Sequence, residues 1–167
     1  KTPMLSLSNA MSLEEIIQFN KQVKKLLNTE DDIDYVAEPK LDGVAIEVVY
    51  IDGEFSYGAT RGDGTIGEDI SSNIKTIKSI PLRLYKGHKI PSLLEIRGEV
   101  FIKHSDFKKL NKQRIEKEEN IFANTRNCTS GSLRQLDSKV TASRPLVVNF
   151  YGSGIIEGIN IDSQYEI

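Results

Sequence analysis

Two adjacent residues, Asp52 and Gly53, constrain the fold more than any other feature of the chain. They stand between two runs of β-branched, aromatic and apolar residues, "VAIEVVYI" before and "EFSYGAT" after. An Asp-Gly step accepts the positive φ angles of a two-residue hairpin loop, so the pattern predicts an antiparallel β-hairpin. The spacing predicts a first arm over residues 36–51, broken near Gly43, and a return arm over residues 54–60. The first arm opens with Glu38, Lys40 and Asp42 at every second position. Side chains two apart on a strand share a face. Read as strand, the three charges form one wall of a polar site, with Pro39 and Leu41 on the other side. Equally open is a solvated edge strand whose charges oppose edge-to-edge pairing.

Other segments fill in the organisation. Residues 13–27 read as an amphipathic helix, with Ser12 as N-cap and Glu15 completing a capping box. Ile16, Ile17, Val23, Leu26 and Leu27 share its apolar stripe. An acidic loop follows at residues 28–34. The stretch "TRGDGTIGED", residues 60–69, is a glycine-rich loop, and residues 68–77 are expected to form a short helix. Residues 93–102 read as a strand that places Glu95, Arg97 and Glu99 on one face. Ser105 is the expected cap of a charged helix running to about Glu118. Residues 122–137 mix small polar residues with Arg126 and Arg134 and end in a short helix, and residues 146–156 read as a final strand-pair region. No repeat or linker interrupts the pattern. Antiparallel hairpins with separate helices point to an α+β fold rather than a parallel βαβ fold.

Length and composition narrow the function classes. A chain of 167 residues fits one domain. Its formal net charge of −2 argues against a chain that binds nucleic acid through overall positive charge, although local basic patches remain open. The single cysteine, Cys128, excludes an intrachain disulfide; with only His88 and His104 beside it, no metal site is expected. No apolar run approaches a membrane span and no signal-peptide pattern is present, so a reducing, cytoplasmic setting without membrane partners is expected. The chain begins at Lys1 rather than methionine and reads as an excised piece of a longer protein.

A lysine between carboxylates suits covalent chemistry at phosphorus, with one condition. Lysine is protonated near neutral pH, with a pKa of about 10.4. It attacks only when the ammonium is disfavoured or a base takes its proton, and flanking carboxylates favour the ammonium. A polyphosphate and its metal would have to change that field, with Asp42 orienting the lysine or managing charge around the metal. Gly43 lets the backbone approach a ligand. K-x-D-G alone occurs by chance in roughly a few per cent of chains this long. The glycine-rich loop can present N–H groups to phosphate, and Arg61 can fork it; a plain turn is the alternative. "LEIRGEVF" sets a second carboxylate pair around an arginine, or builds an internal cross-strand ion network. Arg126 and Arg134 can hold phosphates of a nucleotide or of a nucleic-acid backbone, or simply decorate a capped helix. "KKLNKQRIEK" reads best as a solvated helix face.

In order, "EPKLDG", "ATRGDGTIGEDISSNIKTIKSIP", "LEIRGEVF" and "FANTRNCTSGSLRQLD" resemble the adenylation domain of bacterial NAD-dependent DNA ligases. The opening "TPMLSLSNAMS" is similar to the segment leading into that domain, and the resemblance covers residues 2 to about 154. It implies a nucleotidyltransferase (ATP-grasp-like) core of antiparallel sheets with flanking helices, ending before two later lysine motifs and the OB-fold. It implies that Lys40 takes AMP from NAD as a phosphoramidate, releasing nicotinamide mononucleotide. Glu38 would read the adenine, with Ser6 and Leu7 lining the same pocket. Arg61 and Glu99 would hold the ribose and phosphate region, and Tyr151 would stack on the base. Arg126 and Arg134 would handle nicked DNA or the nicotinamide half of NAD. The AMP then passes to a DNA 5′-phosphate, and a 3′-hydroxyl displaces it to seal the nick. Mg²⁺ would enter on the phosphates.

The partner implied is nicked double-stranded DNA, the protein is expected to be a monomer, and its setting the bacterial cytoplasm, at the nucleoid. Residues 1–167 would form a partial adenylation domain. The N-terminal domain for the nicotinamide half, the OB-fold, the zinc module and the DNA-clamping domains would lie elsewhere, and the piece alone is expected to be inactive. The sequence departs from the family pattern at Thr125 and Ser138, where prolines are usual, and at Cys128 and Thr129, where alanines are usual. The alternatives are an ATP-dependent ligase, an RNA ligase or capping-type nucleotidyltransferase sharing K-x-D-G, or a nucleotide-binding fragment without turnover.

Overall fold

A computed structural model describes residues 3–4, 8–85, 89–161 and 163–164. The chain divides into two units, Leu5–Pro39 and a larger one made of Lys1–Met4 with Lys40–Ile167.

The smaller unit is built on helix α1, Leu13–Leu27. Ser12 caps it as expected: its Oγ accepts the Glu15 N–H at 3.2 Å, while the Glu15 carboxylate accepts the N–H of Met11. Glu14 and Glu15 in the first turn and Lys24 and Lys25 in the last suit the helix dipole. Asn28 ends the helix in the left-handed region, at φ 50°. Tyr35 folds back on the helix, donating to Asn20 at 2.9 Å and packing beside Phe19. The apolar stripe forms, but no residue of α1 is buried.

The larger unit holds a four-stranded antiparallel sheet in the order β2-β1-β3-β4. The strands are β1 (Val44–Ile51), β2 (Glu54–Thr60), β3 (Leu93–Ile102) and β4 (Leu146–Glu157). The Asp-Gly hairpin is present, with φ 48° at Asp52 and 78° at Gly53. Alternation sends Ile46, Val48 and Tyr50 of β1 and Val100 and Ile102 of β3 to one face. There they pack with Ile70, Ile74, Ile77 and Ile80 around α2 (Ser71–Ile74), Leu110 of α3 (His104–Glu116), and Cys128 and Leu133 of α4 (Thr125–Leu133). A last short helix, α5 (Ser138–Ala142), is tied to α4 by the Thr141 hydroxyl, which donates to the Ser132 carbonyl at 2.8 Å. The other face carries Glu47, Glu95, Arg97 and Glu99.

Three expected boundaries are corrected. Strand β1 begins at Val44, not residue 36, so Glu38, Lys40 and Asp42 do not share a strand face. Val44 opposite Val100 is the first ladder pair, Pro39 has no N–H to donate, and Gly43 gives its N–H to a side chain instead of a neighbouring strand. Helix α3 starts at His104 with Lys103 at the N-cap and no capping side chain, which puts Ser105 inside the helix. The helix expected over residues 68–77 is the single turn α2, because Glu68 and Asp69 still pair with Thr60 and Ala59 across the loop.

Candidate functional site

The site grows from Glu99, in the middle of the sheet between Ala45 on β1 and Asn149 on β4. Its carboxylate accepts the N–H of Gly43 at 3.1 Å. A Cβ on Gly43 would lie 2.0 Å from the carbonyl oxygen of Val100, so only glycine lets the chain pass β3 here. That close passage delivers Lys40 and Asp42, both exposed, to the Glu99 end of the polar face. Burial pushes the Glu99 carboxyl above its ordinary range; the Gly43 hydrogen bond and the charges of Lys40 and Arg126 work against it, and Asp42 adds to it.

Asp42 turns to helix α4 rather than to the lysine. Arg126 donates to its Oδ1 at 3.0 Å, and among the described residues Lys40 makes no ion pair. Both partners of the bridge are mostly exposed, which holds its worth to within about 1 kcal/mol.

Helix α4 is set by Asn124, whose Oδ1 accepts the N–H of Asn127 at 2.7 Å, and by buried Asn73, which donates to the carbonyls of Leu133 and Gln135 at 2.5 and 2.9 Å. At its far end Arg134 donates to Glu68 at 2.6 Å. Glu68 closes the glycine-rich loop, whose base is fixed by Thr60 N–H on the Glu68 carbonyl and Arg61 N–H on the Ala45 carbonyl. Inside the loop Asp63 accepts the N–H groups of Thr65 and Ile66, which hold its carboxyl below the usual range. Gly62 has φ +55°, and a Cβ there would meet the Ile66 carbonyl at 1.8 Å. The loop is therefore a fixed turn with Arg61 exposed at its root.

Tyr151 on β4 completes the cluster. Burial pushes its phenol up, Glu99 adds to that, and Arg97 and Arg61 oppose it, so all three charges lie within electrostatic reach of the ring hydroxyl. The structure thus groups Lys40, Asp42, Arg126, Glu99, Tyr151 and Arg61, and joins Arg134 to Glu68. Glu38 lies exposed in the Leu5–Pro39 unit, and Ser6 and Leu7 lie outside the described residues. Sequence reasoning did not single out Glu68, or Glu47, which accepts from Arg97 at 3.2 Å. Glu47 was findable, since it sits at even spacing from Ala45 on the polar face of β1. Among the described residues no group of three His, Cys, Asp or Glu side chains gathers to hold a metal. None of their helices is long and apolar enough to cross a membrane. An exposed amine, paired arginines and a half-buried carboxylate beside an aromatic ring form a surface suited to a nucleotide phosphate.

The chain matches one family over its whole length. The model of the family described as "NAD-dependent DNA ligase adenylation domain" matches residues 1–167. The DNA ligase of Thermodesulfovibrio yellowstonii is 52% identical over 166 residues, covering 99% of this chain and 25% of that protein. That of Syntrophobacter fumaroxidans is 48% identical over 165 residues, covering 97% of the chain and 24% of the protein. That of Bdellovibrio bacteriovorus is 49% identical over 168 residues, covering 100% and 24%. The chain spans about a quarter of the length of these relatives.

Proposed function

Since the chain belongs to the NAD-dependent DNA ligase adenylation domain family, we propose that it carries the nucleotidyltransferase step of a nick-sealing enzyme. The Lys40 amine attacks the adenylyl phosphorus of NAD. A P–N bond forms, the P–O bond to nicotinamide mononucleotide breaks, and the amine proton is released. The AMP then moves to the 5′-phosphate of nicked double-stranded DNA, and attack by the 3′-hydroxyl expels it. The observation that carries this reading is the placement of the nucleophile: where Gly43 passes β3, Lys40 stands exposed, without an ion pair among the described residues and within electrostatic reach of Glu99.

The other roles follow the family resemblance. Glu38, Ser6 and Leu7 recognise the adenine, Tyr151 stacks on it, and Arg61 and Glu99 hold the ribose and phosphate region. Arg126 and Arg134 take phosphates of the nicotinamide half or of DNA by leaving Asp42 and Glu68. Exposed pairs of this kind are weak enough for a phosphate to displace. Mg²⁺, bound through the phosphates, neutralises their charge. The setting is a bacterial cytoplasm and the working form a monomer.

Labelling of the full-length protein tests the reading. Radiolabelled NAD and radiolabelled ATP, each labelled in the adenylate, are offered separately with Mg²⁺. Covalent label from NAD and none from ATP is expected. Label from ATP alone would make the protein an ATP-using nucleotidyltransferase, and label from neither would make it a binding protein without turnover.

A further inference from the structure

Strand β4 does not run evenly beside β3. Gly98 faces Phe150 and Arg97 faces Gly152, so Tyr151 is an extra residue. Ile96 faces Ser153 and Leu94 faces Ile156, so two residues, Gly154 and Ile155, stand against Glu95 alone. These are two β-bulges in succession, a device that takes a residue out of the ladder and re-aims its side chain. The second bulge is held by a side chain: Glu95 accepts the N–H of Ile155 at 3.1 Å. Glu95 is only 4% exposed, so its carboxyl oxygens depend on protein partners such as this N–H.

Arg97 lies beside Glu95 on the same face of β3. Its Nε donates to Glu47 at 3.2 Å and its Nη1 to the carbonyl of Pro3 at 3.3 Å. A Cβ on Gly154 would lie 2.5 Å from a Glu95 carboxylate oxygen and 3.3 Å from Arg97 Nη2. The bulged strand therefore lies directly against these two side chains, which would have to shift to admit a Cβ there. At Gly152, by contrast, a Cβ would meet nothing within 4 Å, which leaves the surface beside Tyr151 open.

We propose that Glu95 and Arg97 are positioning residues for Tyr151: by clamping the double bulge of β4, they fix where its ring presents a stacking face. The idea rests on the reading of Tyr151 as the adenine platform. Neither residue touches the substrate, and their effect passes through the backbone of residues 151–155.

The test uses the full-length protein labelled with 3-fluorotyrosine, the Tyr151 line being identified as the one lost in Tyr151→Phe. Glu95→Ala is expected to shift or broaden that line in ¹⁹F NMR, while Glu95→Gln, which keeps an acceptor for the Ile155 N–H, restores it. In steady-state assays Tyr151→Ala and Glu95→Ala are each expected to raise the KM for NAD about tenfold, the worth of one base–aromatic stack. The double variant should be no worse than Tyr151→Ala, because both act on one contact. Should Glu95→Ala fail to fold, Arg97→Lys takes its place in both measurements. An unmoved Tyr151 line, or losses that simply add, overturns the proposal. A moved line with an unchanged NAD KM in Tyr151→Ala leaves the positioning role standing and removes the adenine platform from the functional reading.

Discussion

Burial lifts the Glu99 carboxyl above the ordinary carboxylate range, and the lift has a measurable sign. The folded chain keeps this proton at pH values where the unfolded chain has released it. The group's stabilising contribution is complete below the ordinary range and is lost as pH rises through the raised value. Glu99→Gln keeps an acceptor for the Gly43 N–H and removes the titration. Its stability relative to the parent should therefore improve as pH rises from about 4, where an ordinary glutamate ionises, and level off once the raised Glu99 carboxyl has lost its proton. Urea midpoints across that range check this, and a constant difference contradicts it. At this scale the sequence was partly legible. Glu99 could be found from its even spacing with Glu95 and Arg97, but the partner it took could not. The bond to Gly43 joins residues 56 apart and depends on a close approach that no local pattern encodes. The engagement of Asp42 by Arg126 was hidden for the same reason, 84 residues separating the two.

Among the elements, strands were read well where one face is buried. Strand β3 has the expected limits, and the Asp-Gly hairpin fixed β1 against β2. The even spacing of Glu38, Lys40 and Asp42 misled because alternation marks a strand only where a neighbouring strand supplies hydrogen bonds, and residues 36–43 have none. The bulges of β4 left only Gly152 and Gly154 as a trace. Two helix starts show where proline could stand. Thr125 and Ser138 are each the first residue of a helix, behind the capping side chains of Asn124 and Asp137. At that position proline loses no intrahelical bond, and both caps already have the extended backbone that proline requires of its predecessor. Thr125→Pro and Ser138→Pro should thus each be tolerated and stabilise by about 0.4–1 kcal/mol through the unfolded chain. A melting temperature raised by roughly 1–4 °C would show it; a fall at either site means the N-terminal turn is not as described.

At the scale of the molecule, one sheet divides two tasks. Its helix-covered face supplies the core, and its polar face holds the charges that meet Lys40 where Gly43 passes β3. The α+β class and the antiparallel sheet were legible because alternation and turn residues are local signals. Residue types and spacing marked Lys40, Glu99 and Arg126 one by one, but their meeting with Tyr151 depends on strand order, and Tyr151 was anticipated by the family resemblance alone. The central claim is that Lys40 receives AMP. Intact-mass and peptide mass spectrometry of the full-length protein after incubation with NAD and Mg²⁺ tests it most directly. The expected result is the gain of one AMP on the peptide bearing Lys40. No gain is expected in Lys40→Ala or in Lys40→Arg, whose guanidinium is not appreciably deprotonated and cannot attack, with circular dichroism unchanged in both. An AMP adduct persisting in Lys40→Ala, or mapped to a different residue of the parent, would contradict it.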